Sequence, residues 1–257
     1  MKKYTLLVTL VCLTLCFCSS PEKKIEEARE KDPRYQYNVG VFYLNNGQPD
    51  EAIKYLNKAL ALQPGFDVAL DGLGLAYTMK GEFQTAASYL EKSLAVNPRL
   101  TDAHNHLGTV YQEMGMLDEA AQQFRLAVAD ETYHSRELPY YNLARLYYIQ
   151  EKNEEAMEYV DRAILINKRL IMAHNLKGLI YERMERYQDA VLCYQAAIKL
   201  APDEEINLEY NLASALYKNG DLERAKELFV KLRPRVADPE IKANINKYLE
   251  LIEKEIR

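Results

Sequence analysis

From residue 33 onward the chain returns small and apolar residues to the same points every 34 residues. Glycine recurs at Gly40, Gly74 and Gly108, tyrosine at Tyr43, Tyr77 and Tyr111, and alanine at Ala52, Ala86 and Ala120. Gln63-Pro64 and Asn97-Pro98 close helical stretches at the same step, because proline cannot continue a helix. Few runs have the apolar–polar alternation of a strand, so the pattern predicts an all-α chain. With small insertions the lattice continues to residue 238, giving repeats at 33–66, 67–100, 101–136, 137–170, 171–205 and 206–238.

Three positions of each repeat carry the packing argument. The eighth is Gly40, Gly74, Gly108, Ala144, Gly178 or Ala213, small because two paired helices are expected to cross there at close range. The twentieth is alanine in all six copies, continuing through Ala156, Ala190 and Ala225. The eleventh is tyrosine in five copies, with Tyr147 and Tyr181 following the first three, and Leu216 in the last. A large ring there is expected to fill the gap between one helix pair and the next. Gly47, Gly81, Gly115 and Gly220 mark the turn inside a pair, where a positive φ suits glycine. Glu151 and Glu185 stand at that place in repeats four and five, so those turns are expected to be built differently. After the last repeat, Asp238-Pro239-Glu240 reads as an N-cap, a proline at N1 and a first-turn acid. The helix it opens carries Ile241, Ile245, Tyr248, Leu249 and Ile252 on one stripe, which suits a capping helix over residues 239–257.

A 34-residue period of these residue types resembles the tetratricopeptide repeat (TPR), a pair of antiparallel helices. The resemblance implies an all-α, right-handed superhelix of six helix pairs with a C-terminal cap. It also implies a concave groove lined by the first helix of each pair, mainly through positions 2, 5, 9, 12 and 13. In the first two repeats those positions give Tyr37, Val41, Leu44, Leu75 and Met79; in the fourth and fifth they give Tyr141, Arg145, Tyr148, Ile149, Met172 and Leu179. The third repeat supplies a polar middle with Asp102, Asn105, Thr109, Gln112 and Glu113. Exposed apolar patches mark partner sites, so the expected ligand is a hydrophobic segment of a protein, helical or extended.

The first 32 residues follow a different logic. Lys2 and Lys3 precede an apolar stretch from Tyr4 to Phe17 and then Cys18-Ser19-Ser20-Pro21. A short apolar run with basic residues before it reads as an export signal over 1–17, too short for a spanning helix of about 20 residues. An uncut N-terminal anchor is the alternative. Leu15-Cys16-Phe17-Cys18 resembles a lipobox, which implies cleavage before a lipidated Cys18. Lipidation at Cys16, or ordinary cleavage after Cys18, remains open on these residues. Residues 18–32, dense in charges of both signs, read as a solvated tether.

Composition narrows the function. The net charge of −5 over 257 residues argues against nucleic acid, whose partners carry basic surfaces. No HExxH, CxxC, GxSxG or Walker loop is present. His104 and His106 are two residues apart and point to different sides of a helix. His104 and His174 share position 4 of their repeats, where packing against the paired helix is the ordinary duty, and His134 falls in a loop. Cys193 is the single cysteine outside the first 18 residues and lies among apolar residues, which suits an inert thiol. Neither an enzyme nor a metal or cofactor site is expected.

One junction adds a narrower resemblance. Between repeats three and four runs Asp130-Glu131-Thr132-Tyr133-His134-Ser135-Arg136, followed by Tyr140-Tyr141-Asn142-Leu143-Ala144. With the export signal, the tether and the six repeats, this is similar to the PilF/PilW-type lipoproteins of type IV pilus biogenesis. That resemblance implies a pilotin: a lipoprotein on the inner leaflet of the outer membrane, facing the periplasm, that binds secretin subunits and assists their localisation and multimerisation. A general periplasmic adaptor for another envelope assembly, such as cytochrome maturation, is the competing expectation.

Overall fold

The computed structural model describes residues 28–203 and 205–256. The expected export signal, Cys18 and most of the tether lie outside the described residues. From Pro33 onward the described chain is helical throughout, with no strand among the described residues. The helices are α1 (Pro33–Asn45), α2 (Pro49–Leu62), α3 (Asp67–Met79), α4 (Phe83–Val96), α5 (Thr101–Glu113), α6 (Leu117–Ala129), α7 (Glu137–Ile149), α8 (Asn153–Ile166), α9 (Ile171–Arg183), α10 (Tyr187–Leu200), α11 (Ile206–Lys218), α12 (Leu222–Leu232) and α13 (Pro239–Ile256). Packing divides the chain into two units, the first ending at Val110 and the second beginning at Tyr111.

In the first unit α1 packs on α2 and α3 on α4, and the eighth position shows why it must be small. A Cβ added at Gly74 would lie 2.4 Å from Leu90 Cγ, and one at Gly40 would lie 2.7 Å from Leu56 Cγ. Both leucines are fully buried, so neither has room to yield. The core around Leu56 is Leu44, Ala52, Ala59, Ala69, Leu73 and Ala76. In the second unit the same contact recurs between Gly178 and Tyr194, at 2.5 Å for an added Cβ. Alanine at position 20 is fully buried in all six repeats.

The tyrosines at position 11 also make contacts inside their own pairs, which the repeat pattern did not predict, while the Tyr147 hydroxyl accepts from Arg125 of the preceding pair. Three of the five stack on a ring twelve positions later, inside their own pair. Tyr43 lies on Tyr55, Tyr77 on Tyr89 and Tyr147 on Tyr159, all with ring centroids 5.4 Å apart and planes within 13° of parallel. Lysines flank the stacks: Lys58 sits 4.7 Å from the Tyr55 ring and Lys92 5.0 Å from that of Tyr89. In the fifth repeat the partner place holds Cys193 instead.

The turns of repeats four and five are also corrected. Glu151 and Glu185 adopt φ of 60° and 58°, close to the 68° of Gly47. Their hydrogen bonds match the glycine turns atom for atom. Gly47 N–H donates to the Leu44 carbonyl and Gln48 N–H to that of Tyr43; Glu151 N–H donates to Tyr148 and Lys152 N–H to Tyr147. This pair of bonds is the Schellman closure, and it holds a left-handed residue in place whether or not that residue is glycine. The cost of the extra Cβ stays in the fold. Glu151→Gly is therefore expected to raise the unfolding free energy by about 0.5–1 kcal/mol, after allowing for the greater freedom of glycine in the unfolded chain. A chemical denaturation midpoint at or below the wild-type value would contradict this.

The C-terminal helix α13 opens on an aspartate cap. The Asp238 carboxylate accepts from the N–H groups of Glu240 and Ile241, at 2.8 and 3.1 Å. Ile245 and Ile252 are fully buried, and Ile241, Tyr248 and Leu249 pack against the same core as Phe229 and Leu232.

Candidate partner-binding faces

The first helix of each pair carries the expected binding residues, and the structure sorts them by position. Position 13 is exposed in every repeat. Positions 5 and 9, and all of position 12 except Leu44, are half-buried or, at Asn105 and Ser214, buried. The sorting follows from contacts between neighbouring first helices. In the second unit, for example, Asn211 of α11 donates to the Asn175 side chain of α9 at 3.0 Å. Arg183 of α9 likewise lies over Tyr148 of α7.

In the first unit, Met79 is 44% exposed, while Tyr37, Val41 and Leu75 are half-buried. Leu44 is corrected: at 7% exposure it belongs to the core and offers no surface. The Tyr37 ring stands 5.6 Å from that of Phe66. Its hydroxyl pKa is raised by burial and by the nearby carboxylates of Asp71, Asp102 and Asp67. Asp71 in turn lies 2.8 Å from His106 Nδ1. Burial opposes a charge on His106, but Asp71 and then Asp102 outweigh it, and the imidazole pKa is raised. A histidine whose folded pKa exceeds its unfolded value adds stability below the unfolded pKa and loses it as pH rises through the folded one. The stability lost in His106→Gln is thus expected to be larger at pH 5.5 than at pH 8.5, read by urea unfolding. Equal losses at both would remove the ion pair from the account.

Sequence reasoning missed two exposed aromatics of the first unit, Tyr35 and Phe42, the latter 61% exposed. They occupy positions 3 and 10, which every later repeat buries, as at Ala69 and Ala76 or Ala173 and Ile180. The signal was available: a large aromatic where the other repeats place mostly small or aliphatic residues.

In the second unit, Ile149 and Met172 are 49% and 46% exposed, and Tyr141, Tyr148 and Leu179 are half-buried. Burial raises the Tyr141 pKa against the opposing charge of Arg145. Arg145 lies 3.7 Å from Glu113. With the Gln112 amide oxygen turned toward it, Arg145 also donates two hydrogen bonds, at 2.6 and 3.3 Å. The Arg183 guanidinium lies 3.6 Å from the Tyr148 ring centroid and donates to the Tyr148 carbonyl. The junction before α7 is an Asx turn, Asp130 accepting from the Thr132 N–H at 2.9 Å.

The remaining polar residues serve the scaffold. His104 and His174 each pair with a backbone carbonyl six residues earlier, Pro98 at 3.1 Å and Lys168 at 3.0 Å. They therefore fasten the turns between repeats. Burial pushes the Cys193 thiol up to about 11, which keeps it protonated at neutral pH. Among the described residues no group of three or more His, Cys, Asp or Glu is placed to hold a metal ion. No described helix is long and apolar enough to cross a membrane. The arrangement offers surfaces for contact.

Comparison with known proteins agrees with this geometry. Two family models described as tetratricopeptide repeat match residues 33–99 and 72–134. A third, the tetratricopeptide repeat protein 21 C-terminal ARM domain, matches residues 128–229. Residues 33–134 are tetratricopeptide repeats. Among solved structures, pilF of Pseudomonas aeruginosa superposes with a TM-score of 0.77 at 19% identity, covering 86% of this chain and 99% of that one. PilW, described as a widely conserved type IV pilus biogenesis factor, gives 0.77 at 15% identity over 83% and 97%. Likeness at these identities establishes the fold. Human E3 SUMO-protein ligase RanBP2 is 32% identical over 127 residues, 44% of this chain but 4% of that protein. The chain thus spans only a small part of the curated relatives it matches.

Proposed function

We propose that this TPR protein is a pilotin: a periplasm-facing, non-catalytic scaffold, lipidated at Cys18, that assists the localisation and multimerisation of a secretin. The observation that carries the reading is length. The chain matches 99% of pilF and 97% of the type IV pilus biogenesis factor PilW, whereas its match to RanBP2 is a fragment of a far larger chain. The basic and apolar N-terminus ending at Cys18 supports export and an outer-membrane lipid anchor. Partner contact falls to exposed side chains on the first helices, Met79 in the first unit and Ile149 and Met172 in the second. Tyr37 and Leu75, half-buried against Phe66 and the core, shape that surface from below.

The test is purification from detergent-solubilised membranes of a piliated host, with mass spectrometry of the N-terminus and of co-purifying proteins. An acylated Cys18 with a secretin is the expected result. Met79→Ser with Ile149→Ser is expected to lower secretin recovery at least tenfold with an unchanged helical spectrum. A soluble, unacylated protein recovered with other envelope components would replace the pilotin by a general periplasmic adaptor.

A further inference from the structure

We propose that the second unit selects a partner segment carrying carboxylate side chains among apolar ones, with Arg145 and Arg183 as the selecting residues. This deepens the partner-binding reading above and rests on it. The two arginines flank one stretch of α7. Arg145 stands one helical turn before Tyr148 and Ile149 on that helix, and Arg183 reaches in from α9 to the Tyr148 ring and carbonyl. Stacking on a ring fixes the plane of a guanidinium. A guanidinium holds five N–H donors, so Arg183, with one bond to a carbonyl, keeps a fork suited to a carboxylate, while Arg145, already bonded to Gln112, offers its remaining N–H groups.

One neighbouring acid is committed elsewhere. Glu182, beside Arg183 in sequence, accepts from the Tyr194 hydroxyl at 2.8 Å and from Lys218 at 2.6 Å. Glu113 meets Arg145 only at 3.7 Å, with both side chains more than a third exposed, where an ion pair contributes little. The result is a local cationic pair on a chain whose net charge is −5. On the same stretch of α7, one turn after Arg145, stands the exposed side chain of Ile149. An uncharged apolar segment would gain from the second feature alone. A segment alternating apolar and acidic residues gains from both, and a basic one is repelled.

The experiment uses the purified full chain in detergent and three fluorescent 14-residue peptides. They share one Leu/Ile framework and carry three glutamates, three glutamines or three lysines. Anisotropy titration is expected to show the glutamate peptide bound at least tenfold tighter than the glutamine peptide, with the preference shrinking between 0.05 and 0.5 M salt. Arg145→Met with Arg183→Met is expected to bring the ratio close to one without shifting the thermal midpoint by more than a few degrees. Arg183→Lys, which keeps the charge and loses the fork, is expected to leave an intermediate ratio. Equal binding of the glutamate and glutamine peptides, or a ratio unmoved in the double variant, would overturn the selection while leaving the apolar surface intact. Failure of all three peptides to bind would overturn the surface itself.

Discussion

Ala120→Asp is expected to unfold α6 together with the α7–α8 pair at room temperature. Ala120 is fully buried in a cluster with Phe124, Leu143, Ala144, Val160 and Ala163. A carboxylate placed there has no partner, and an unpaired buried charge costs several kcal/mol even after relaxation. That is a large part of the stability of an ordinary domain. Because a protonated carboxyl is cheaper to bury, the damage is expected to shrink as pH falls toward 4.5. Circular dichroism melts at pH 7 and pH 4.5, with Ala120→Gly as a control losing about 1 kcal/mol, would read this directly. A midpoint within a few degrees of wild type at both pH values would mean that α6 does not pack as described.

The second large effect is expected at the other end of the same unit. Phe229 is fully buried, its ring stacked 4.9 Å from Tyr248 of the capping helix and 6.2 Å from Tyr210. Phe229→Ala leaves a cavity between α12 and α13, with a loss of about 3–5 kcal/mol. Repeat arrays are stabilised by neighbour contacts, so the loss should be local. Hydrogen exchange is expected to rise across residues 206–256, while the amides of α7 and α8 keep their protection. Uniform exchange through the whole second unit would show instead that it opens as one cooperative body.

Most of the scaffold was legible in the sequence because a period repeated six times constrains far more than any single motif. Alanine at position 20 and the small residue at position 8 report close helix contacts, and the Asp238-Pro239 start reports a cap. What escaped were features that the period alone does not encode. The stacking of Tyr43 on Tyr55 depends on a second aromatic twelve residues on, a pairing within the repeat and not between repeats. Glu151 looked like a break in the glycine pattern, yet two backbone hydrogen bonds carry the turn without glycine. Leu44 shares its position with Tyr148, but a side chain without a polar end sinks into the core where the tyrosine stays half out. Exposure at the candidate faces was therefore set by contacts between successive first helices, which no single repeat contains.

Position 13 holds Asn45, Met79, Glu113, Ile149, Arg183 and Lys218, and all six are exposed. Few chemistries are missing from that series. None of these side chains is buried in the core, so mutation can rewrite them one at a time at little cost to the helices beneath. Recognition and folding are thereby written in separate alphabets on the same helix. A lineage of such chains could change partners within a few substitutions and never pass through an unfolded ancestor.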